Sequence, residues 1–323
     1  MLKRLVNEAR FTLTITTTGP VLVMSGHATQ SGPDMTPVLT HRDGDWQVYL
    51  PGSSLKGVIR SHLEKIGRTL RPDPLVVCNP FHKHPEADAF CGDKFQRRKD
   101  NDQTMNSEIA YRDSCPICRL FGSTEFIGRV SINDAYLKGE YRNNPTESRD
   151  GVGIDRLTGG SYGGALFELE VVSSDVAFET EVYLRNFETW QLGMLLLVVQ
   201  DLEDGLIRVG SGTSRGLGSV TGSVAEIGIN YLGLMNGKPA EEVWGLGKLQ
   251  SEEEQEAYRT WPDDVLAVDP PPSEERRGIR LRATFRDDSL DALRQQAVNA
   301  FVERLQGWEI PEAMTLEHLG YRR

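Results

Sequence analysis

All four cysteines of the chain fall between residues 78 and 118, and two of them form a Cys-x-x-Cys pair. Four thiols with such a pair, in a reducing compartment, favour tetrahedral zinc over disulfides. The predicted ligands are Cys78, Cys91, Cys115 and Cys118. His82 and His84 are possible substitutes for Cys78 or Cys91, and free buried cysteines are the structural alternative. Because four thiolates leave no open coordination position, we predict that this zinc is structural.

A second candidate site follows an extended segment and reads Pro51-Gly52-Ser53-Ser54-Leu55-Lys56. Ser53 or Ser54 suits the N-cap of a helix, because a serine oxygen accepts an unpaired amide of the first turn. Lys56 and Arg60 lie off the apolar face of this helix. Free amides beside a lysine form a good anion site, although a capped surface helix with solvated charges fits the same residues. The lysine spacing does not match a phosphate loop, so no mononucleotide site is predicted.

A third candidate is the glycine-rich run Gly210-Ser211-Gly212-Thr213-Ser214-Arg215-Gly216-Leu217-Gly218. Its glycines are compatible with a tight hairpin that needs positive φ angles. They would equally let backbone amides approach phosphates, with Ser211, Thr213, Ser214 and Arg215 as further donors. The arginine among small residues favours the second interpretation. No helix with a ribose-binding acid follows, so the run does not resemble a dinucleotide fingerprint.

Periodic segments connect these candidates. Alternating apolar and polar residues predict strands over 10–18, 129–137, 165–172 and 177–184, with the last two as a pair. Helical spacing predicts a helix over 53–70, and the apolar run from Trp190 to Val199 predicts a heavily buried helix over 187–202. With a final strand near 220–224, the order is strand, helix, strand, strand, helix, strand. We therefore predict an α+β, ferredoxin-like (RRM-like) core over residues 1–227, whose open sheet face suits a nucleic-acid backbone. Residues 71–125 form a zinc-binding insertion in this scheme.

The pattern loosens in the last part of the chain. A short acidic helix is predicted over 252–258, a proline-rich linker over 269–273, a strand over 279–285 and a helix over 289–305. We predict that residues 228–323 are a C-terminal appendage packed against a neighbouring subunit.

The composition bounds the class of protein. A net charge of −11 argues against a surface that binds nucleic acid everywhere, but it permits a local basic groove. No run of about eighteen apolar residues is present, so no membrane span or membrane partner is expected. The first eight residues lack a secretory signal, and we expect a cytoplasmic protein.

Three of these segments together resemble a known family. The run from Pro51 to Arg60 resembles the PGSSLKGxxR signature of the RAMP superfamily, the ferredoxin-like proteins that build CRISPR effector complexes. The run from Cys115 to Ser123 and the run from Gly210 to Gly218 resemble further motifs of that superfamily, in the same order. The resemblance covers roughly residues 8–226. Within the superfamily, the chain is most similar in pattern to a Csm/Cmr-like backbone subunit of a type III CRISPR effector complex.

The resemblance implies roles for two further regions. In type III backbone subunits, an aspartate before a Pro-Val pair supports target-RNA cleavage; here Asp34 precedes Pro37-Val38 with one additional residue between them. Such a carboxylate holds a divalent cation, Mg²⁺ or Mn²⁺, or helps to deprotonate a ribose 2′-hydroxyl. On composition alone, an aspartate in this polar loop is a turn residue or a solvated charge. Residues 138–164 resemble the thumb, a β-hairpin that wedges into the guide–target duplex. The resemblance makes Ile154, Arg156 and Leu157 the candidate contacts. A plain mobile hairpin is the alternative interpretation of the same residues.

The leading hypothesis is a subunit that binds crRNA through Ser53, Ser54, Lys56, Arg60 and the Gly210–Gly218 run and cuts complementary target RNA through Asp34. Its partners would be crRNA, target RNA, other effector subunits, and copies or paralogues of itself stacked head to tail. One alternative is a non-catalytic crRNA-binding scaffold. Another is an endoribonuclease that processes pre-crRNA without a metal, for which His27 is the candidate residue.

Overall fold

The computed structural model describes residues 3–25, 32–72, 74–79, 91–141, 143–233 and 235–310. Sixteen strands are present in these ranges: β1 (Asn7–Thr17), β2 (Leu39–Arg42), β3 (Asp45–Leu50), β4 (Gly122–Ser123), β5 (Phe126–Ile127), β6 (Val130–Ile132), β7 (Ala135–Leu137), β8 (Thr146–Ile154), β9 (Ser161–Val172), β10 (Ala177–Arg185), β11 (Val220–Ser223), β12 (Glu226–Leu232), β13 (Glu242–Trp244), β14 (Val265–Ala267), β15 (Ser273–Arg277) and β16 (Arg280–Arg286). The helices in the same ranges are α1 (Gly52–Leu70), α2 (Cys91–Asp100), α3 (Ser107–Arg112), α4 (Pro116–Phe121), α5 (Thr189–Glu203), α6 (Glu252–Tyr258) and α7 (Asp287–Gln306).

A ten-stranded antiparallel sheet forms the centre of the molecule. Its strand order is β15-β16-β12-β1-β10-β7-β3-β2, with β11 also paired to β1 and β6 also paired to β10. The elements around β1 follow the order strand, helix, strand, strand, helix, strand, where the second and fourth strands are each split into two. The predicted mixed α and β class is confirmed.

The two faces of the sheet have different environments because successive strand residues point to opposite sides. Phe11, Leu13 and Ile15 of β1 are buried in the main core, whereas the residues between them are more exposed. Helices α1 and α5 belong to the covered side. Helix α5 is buried almost all round, since α7 packs against it; a Cβ on Gly193 would lie 1.9 Å from the carbonyl oxygen of Ala297. Within the described ranges, no helix packs on the other face of the sheet, which we call the uncovered face.

The start of α1 differs from the sequence prediction. The helix begins at Gly52, after Pro51, and neither Ser53 nor Ser54 is its N-cap. The Gly52 amide donates a hydrogen bond instead to Oδ1 of Asp134, which lies between β6 and β7, at a distance of 2.8 Å. Gly52 is required here, because a Cβ would lie 2.3 Å from the Ile132 carbonyl oxygen. A long-range carboxylate therefore replaces the predicted local cap.

Two further predictions were wrong in detail. Strand β9 does not pair with β10, because β10 pairs with β1. Strand β9 pairs with β8 in one register from Thr146–Val172 to Val152–Leu166, and the register then shifts before the pair Ile154–Ser161. The hairpin formed by β8 and β9 spans residues 146–172, eight residues further along the chain than the predicted range 138–164. The insertion contains α2, α3 and α4, because local ion pairs and buried apolar residues stabilise short helices there.

The last third of the described chain is continuous with the main sheet. Strand β16 pairs with β12 over seven residues, and β15 adds the outer edge. Phe285, Leu293 and Phe301 lie in the same core as β1. The predicted division between residues 227 and 228 falls inside β12. A contact between this region and a neighbouring subunit stays a prediction.

Asp264 is the buried carboxylate that fixes the start of α5. Its Oδ1 accepts the Thr189 amide at 2.8 Å and the Thr189 hydroxyl at 2.6 Å, and its Oδ2 accepts the Gly247 amide at 3.0 Å. Burial, together with the nearby charge of Glu188, raises the pKa of Asp264 to about 7 although these hydrogen bonds favour the ionised form.

The raised pKa of Asp264 predicts a specific pH dependence of folding. The pKa of an aspartate in an unfolded chain is about 3.9. Between that pH and about 7, the folded state therefore holds a proton on Asp264 that the unfolded state has lost. This contribution to stability is complete below the unfolded pKa and is lost as the pH rises through the folded pKa. Urea unfolding across this window should show a decline of up to about 1.4 kcal/mol per pH unit that is absent in Asp264→Asn. The exposed neighbour provides the control Asp263→Asn, which should retain the decline; equal slopes in all three proteins would contradict the assignment.

Candidate functional site

The four cysteines meet in one buried cluster. Their sulfur atoms all lie within 4.8 Å of one another. The Sγ atom of Cys78 lies 3.6 Å from Sγ of both Cys115 and Cys118. Cys115 caps α4, where the Cys118 amide donates to its Sγ at 3.4 Å, and the Cys115 amide donates to Sγ of Cys91 at 3.3 Å. Widely separated segments of the insertion therefore converge on one point.

This cluster fits a tetrahedral zinc ion. Sulfur atoms at about 2.3 Å from such an ion lie about 3.8 Å apart, close to the separations observed. Backbone amides that donate to cysteine sulfurs stabilise thiolates. Burial raises the pKa of Cys115, but hydrogen bonds from Cys118, Cys78 and Cys91 outweigh it and lower that pKa well below its usual value. The hydrogen bonds with Cys115 in turn raise the pKa values of Cys78 and Cys118, so without an ion the negative charge of the cluster is concentrated on Cys115. Four thiolates would hold the ion without an open position, so it would supply structural cross-linking. His82 and His84 lie outside the described residues, and the four cysteines form a complete ligand set without them.

Two arginines of α1 contact this cluster from one side. Arg60 lies with Nη2 at 3.4 Å from Sγ of Cys118, and Arg68 donates to the Cys78 carbonyl oxygen at 2.6 Å. Glu64, buried between them, pairs with Arg60 at 3.0 Å and with Arg68 at 3.3 Å. Burial alone lowers the pKa of Arg60, but the charges of Cys118 and Glu64 raise it overall. The arginine predicted to bind RNA thus has its guanidinium at the cysteine cluster, and an RNA contact by Arg60 stays a prediction.

The rest of the predicted anion site on α1 is only partly accessible. Ser53 is exposed and Ser54 is half-buried. Lys56 donates to the Val130 carbonyl oxygen at 3.1 Å, and burial, with a smaller effect of Arg60, lowers the pKa of its ammonium group. The Gly52 amide is already bonded to Asp134. The helix start therefore offers fewer free donors than the sequence indicated.

Strands β8 and β9 form a separate two-stranded hairpin that carries the predicted thumb residues at its tip. Leu157 is 97% exposed and Ile154 is 58% exposed, and Arg156 between them is also exposed. Asp155 fixes this turn, because its Oδ1 accepts the amides of Leu157 and Thr158 at 2.7 and 3.1 Å. Those backbone hydrogen bonds lower the pKa of Asp155. A rigid turn thus presents apolar and basic side chains to solvent.

Asp34 lies against the base of this hairpin. Its amide donates to the Glu168 carbonyl oxygen at 3.0 Å, and its Oδ2 accepts the Glu168 amide at 2.9 Å. Met35 forms a parallel bridge with Leu169. One carboxylate oxygen is therefore bonded to β9, and the residue is exposed. His27, the alternative catalytic candidate, lies outside the described residues.

The glycine-rich loop packs onto the same base. Leu217 of this loop, Leu22, and Leu169 and Val171 of β9 form a small apolar cluster, against which Met35 packs. Gly210 and Gly218 have φ angles of 89° and 87°, and a Cβ on Gly210 would lie 2.3 Å from the Leu22 carbonyl oxygen. The glycines thus serve a close backbone approach.

Phosphate binding by the glycine-rich loop stays a prediction. The loop offers exposed side chains for such binding, whereas some of its backbone amides are already hydrogen-bonded. The Ser211 amide donates to Leu22 and the Gly218 amide to Pro20, so these two are not free. Thr213, Ser214 and Arg215 are exposed, in a 3-10 turn flanked by Gly212 and Gly216.

The family comparison agrees with this architecture. Residues 14–221 match the RAMP superfamily, and the chain belongs to that superfamily. No curated protein matches the chain. Within the described ranges, none of the helices has the combined length and apolar character that crossing a bilayer requires.

The sequence reading missed the contacts that attach the insertion to the core. Arg119 is buried, donates to the carbonyl oxygens of Arg112 and Arg259, and lies 4.5 Å from the ring of Trp308. Tyr111 donates to Glu188 at 2.8 Å, which links α3 to the start of α5. Buried polar residues such as Arg119 and Tyr111 leave no periodic pattern in the sequence. The one indication for Arg119 is its position directly after the Cys-x-x-Cys pair.

The contact between Arg60 and Cys118 predicts that Arg60 slows zinc loss. Arg60→Leu removes the positive charge nearest a cluster of thiolates, and outer contacts of this kind typically change metal affinity about 10–100-fold. Zinc release to a colorimetric chelator should therefore be about tenfold or more faster, and Arg60→Lys should recover part of the effect. Lys65→Leu, an exposed cation on the same helix, provides the control. Wild-type release from Arg60→Leu, with weaker RNA binding, would instead assign Arg60 to RNA.

Proposed function

We propose that this chain is an RNA-binding backbone subunit of a type III CRISPR effector complex that cleaves target RNA through Asp34. The observation that carries the proposal is the convergence of three motifs at one place. The base of the β8–β9 hairpin, the loop with Asp34 and the glycine-rich loop share the apolar cluster around Leu22 and Leu217. Membership of the RAMP superfamily supports a CRISPR-associated role.

The hairpin suits the task of a thumb. A side chain that replaces base stacking must be apolar and exposed, and neighbouring cations or donors must hold the phosphates. Leu157 and Ile154 meet the first requirement and Arg156 the second. Arg215 lies over the ring of Phe167 on β9 at 5.7 Å, so the glycine-rich loop places a second arginine beside the same hairpin. We propose that guide RNA crosses this region, with sequence read by base pairing.

In this proposal, Asp34 acts on RNA that the thumb distorts. Its Oδ2 is held by β9, which fixes the carboxylate and leaves Oδ1 for a cation or a ribose hydroxyl. A bound Mg²⁺ or Mn²⁺ would stabilise charge on the phosphate. In an attack of the ribose 2′-oxygen on the adjacent phosphorus, the carboxylate would orient the hydroxyl and accept its proton. The new bond would give a 2′,3′-cyclic phosphate while the bond from phosphorus to the 5′-oxygen of the next nucleotide breaks, and that oxygen would leave with a proton from water.

The core architecture fits the proposal. Across the middle of the sheet, the strand order β12, β1, β10, β7 and the two helices on one side correspond to a ferredoxin-like arrangement, which we propose as the finer classification. Copies or paralogues would stack head to tail beside other effector subunits. A non-catalytic scaffold fits the same fold, and only an activity measurement separates the two.

The test is cleavage of a guide-complementary RNA by the assembled complex with Asp34→Asn. Asparagine keeps an acceptor for the Glu168 amide but removes the negative charge, so RNA binding should persist while the cutting rate falls by about a hundredfold or more. Chelation of divalent cations should have the same effect on the wild type. Asp150→Asn, an exposed carboxylate on the same hairpin, should cut normally. Undiminished cutting by Asp34→Asn would make this subunit a scaffold, and metal-free cutting that requires His27 would favour a processing enzyme.

A further inference from the structure

The outer part of the uncovered sheet face carries a concentration of arginines outside the matched RAMP region. Residues that face each other across antiparallel strands have side chains on the same side. Arg282 faces Glu275 on β15 and Asn230 on β12, and Asn230 in turn faces Glu8 on β1. Arg10 faces Gly228 in the next row. Because Arg10 lies between the buried residues Ala9 and Phe11, these rows are on the uncovered face.

The charge of this outer region is opposite to that of the chain. On β12, β15 and β16, the uncovered face has four arginines and two glutamates, a net charge of +2, in a chain whose net charge is −11. These residues are Arg277, Arg280, Arg282, Arg286, Glu226 and Glu275. We call them, with Gly228 and Asn230, the outer arginine face.

The carboxylates on the outer arginine face do not neutralise its arginines. Glu226 is shared between Arg282, at 3.6 Å, and Arg286. Arg277 lies 3.4 Å from Glu275 and its side chain is 77% exposed. Among the residues that the structure describes, no carboxylate forms an ion pair with Arg280. Four arginines against two glutamates thus leave a net charge of +2, which attracts an anionic ligand, and Arg280 is the arginine without a carboxylate partner in the described part of the chain.

The outer arginine face is also shaped to admit a ligand. A concavity of about 440 Å³ lies over β1, β12 and β16. Arg280 and Arg282 line its outer side, whereas its inner side holds Glu8, Glu181 and Arg10, and Arg10 forms an ion pair with Glu181. A Cβ on Gly228 would lie 3.2 Å from Nε of Arg282, so the glycine lets the guanidinium lie against the strand. The volume falls within the range of about 300–1,000 Å³ for ligand sites.

The chemistry of the outer arginine face favours a phosphate backbone over a protein. Protein interfaces are centred on apolar or aromatic anchors, and in these described rows only the half-buried Leu232 is a large apolar residue. Arginines two residues apart on one strand are about 6.7 Å apart, a spacing comparable to that of consecutive phosphates in an extended strand. Guanidinium groups bind phosphate oxygens in a bidentate manner.

We propose that the outer arginine face is a second RNA-binding surface that holds the phosphates of a single-stranded segment. It lies on strands that follow the matched superfamily region, so it is a separate site from the thumb and the glycine-rich loop. The choice of RNA over another polyanion rests on the proposed function. The C-terminal strands, which the sequence predicted to pack against a neighbouring subunit, extend the sheet and in this proposal add contacts to RNA.

The test compares RNA binding by three full-length proteins at several salt concentrations, with a fluorescein-labelled polyuridylate as the probe. In the first variant, Arg277, Arg280 and Arg282 are changed to Gln. In a matched variant with the same net charge, Lys65, Lys248 and Arg276 are changed to Gln; Arg276 is on β15 but faces Leu281 on the covered side. The first variant should bind about tenfold or more weakly, with a log–log salt slope lower by about 2, because each lost phosphate contact on a single strand contributes about 0.7. The matched variant should keep the wild-type slope.

Wild-type affinity and slope in the first variant would overturn the inference. Failure of that variant to assemble with other effector subunits, with RNA binding intact, would also overturn it and assign the face to a protein partner. Leu157→Ala separates the inference from the proposed function, since it removes only the thumb contact. If only Leu157→Ala loses RNA binding, the thumb binds RNA and the outer arginine face does not. If only the arginine variant loses RNA binding, the outer arginine face binds RNA and the thumb contact does not contribute.

Discussion

The pairing of β1 on both of its edges is the constraint on which the molecule depends. β10 lies along one edge, and β11 and β12 divide the other, so a single eleven-residue strand sets the register of the whole sheet. Its buried residues support α1 and α5, and each fully buried aliphatic or phenyl side chain contributes about 1.5–3 kcal/mol. A slip of one residue would exchange the two faces, placing Arg10 in the core and Phe11 in solvent.

This constraint separates the structural tasks from the binding tasks. The covered side holds the helices, the cysteine cluster and the buried contacts of Arg119, which attach the insertion to the core. Because α1 contributes Arg60 and Arg68 to the cluster, a metal ion there would stabilise the helix that carries the PGSSLKG motif. The uncovered face and the β8–β9 hairpin are left to present arginines and exposed apolar residues.

Local patterns predicted what depends on local forces, and tertiary contacts account for the rest. Alternation in β1 and helical spacing in α1 identified both elements, since burial of one face leaves a periodic signal. The four cysteines were grouped correctly because their residue type has few alternative uses in a reducing compartment. Three features were not predictable, because each depends on a partner distant in sequence. They are the hydrogen bond from Gly52 at the start of α1 to Asp134, the contact of the Arg60 guanidinium with Cys118, and the pairing of β9 with β8.

Ultraviolet cross-linking of bound RNA to the assembled protein, with mass-spectrometric mapping of the cross-linked peptides, tests most directly where RNA lies. The account predicts cross-links at the hairpin tip, residues 154–162, and in the glycine-rich loop, residues 210–218, both at the exposed surface around Asp34 and β9. Cross-links confined to the insertion, residues 91–121, or to the outer surface of α7 would contradict it, since RNA would then follow the covered side of the sheet.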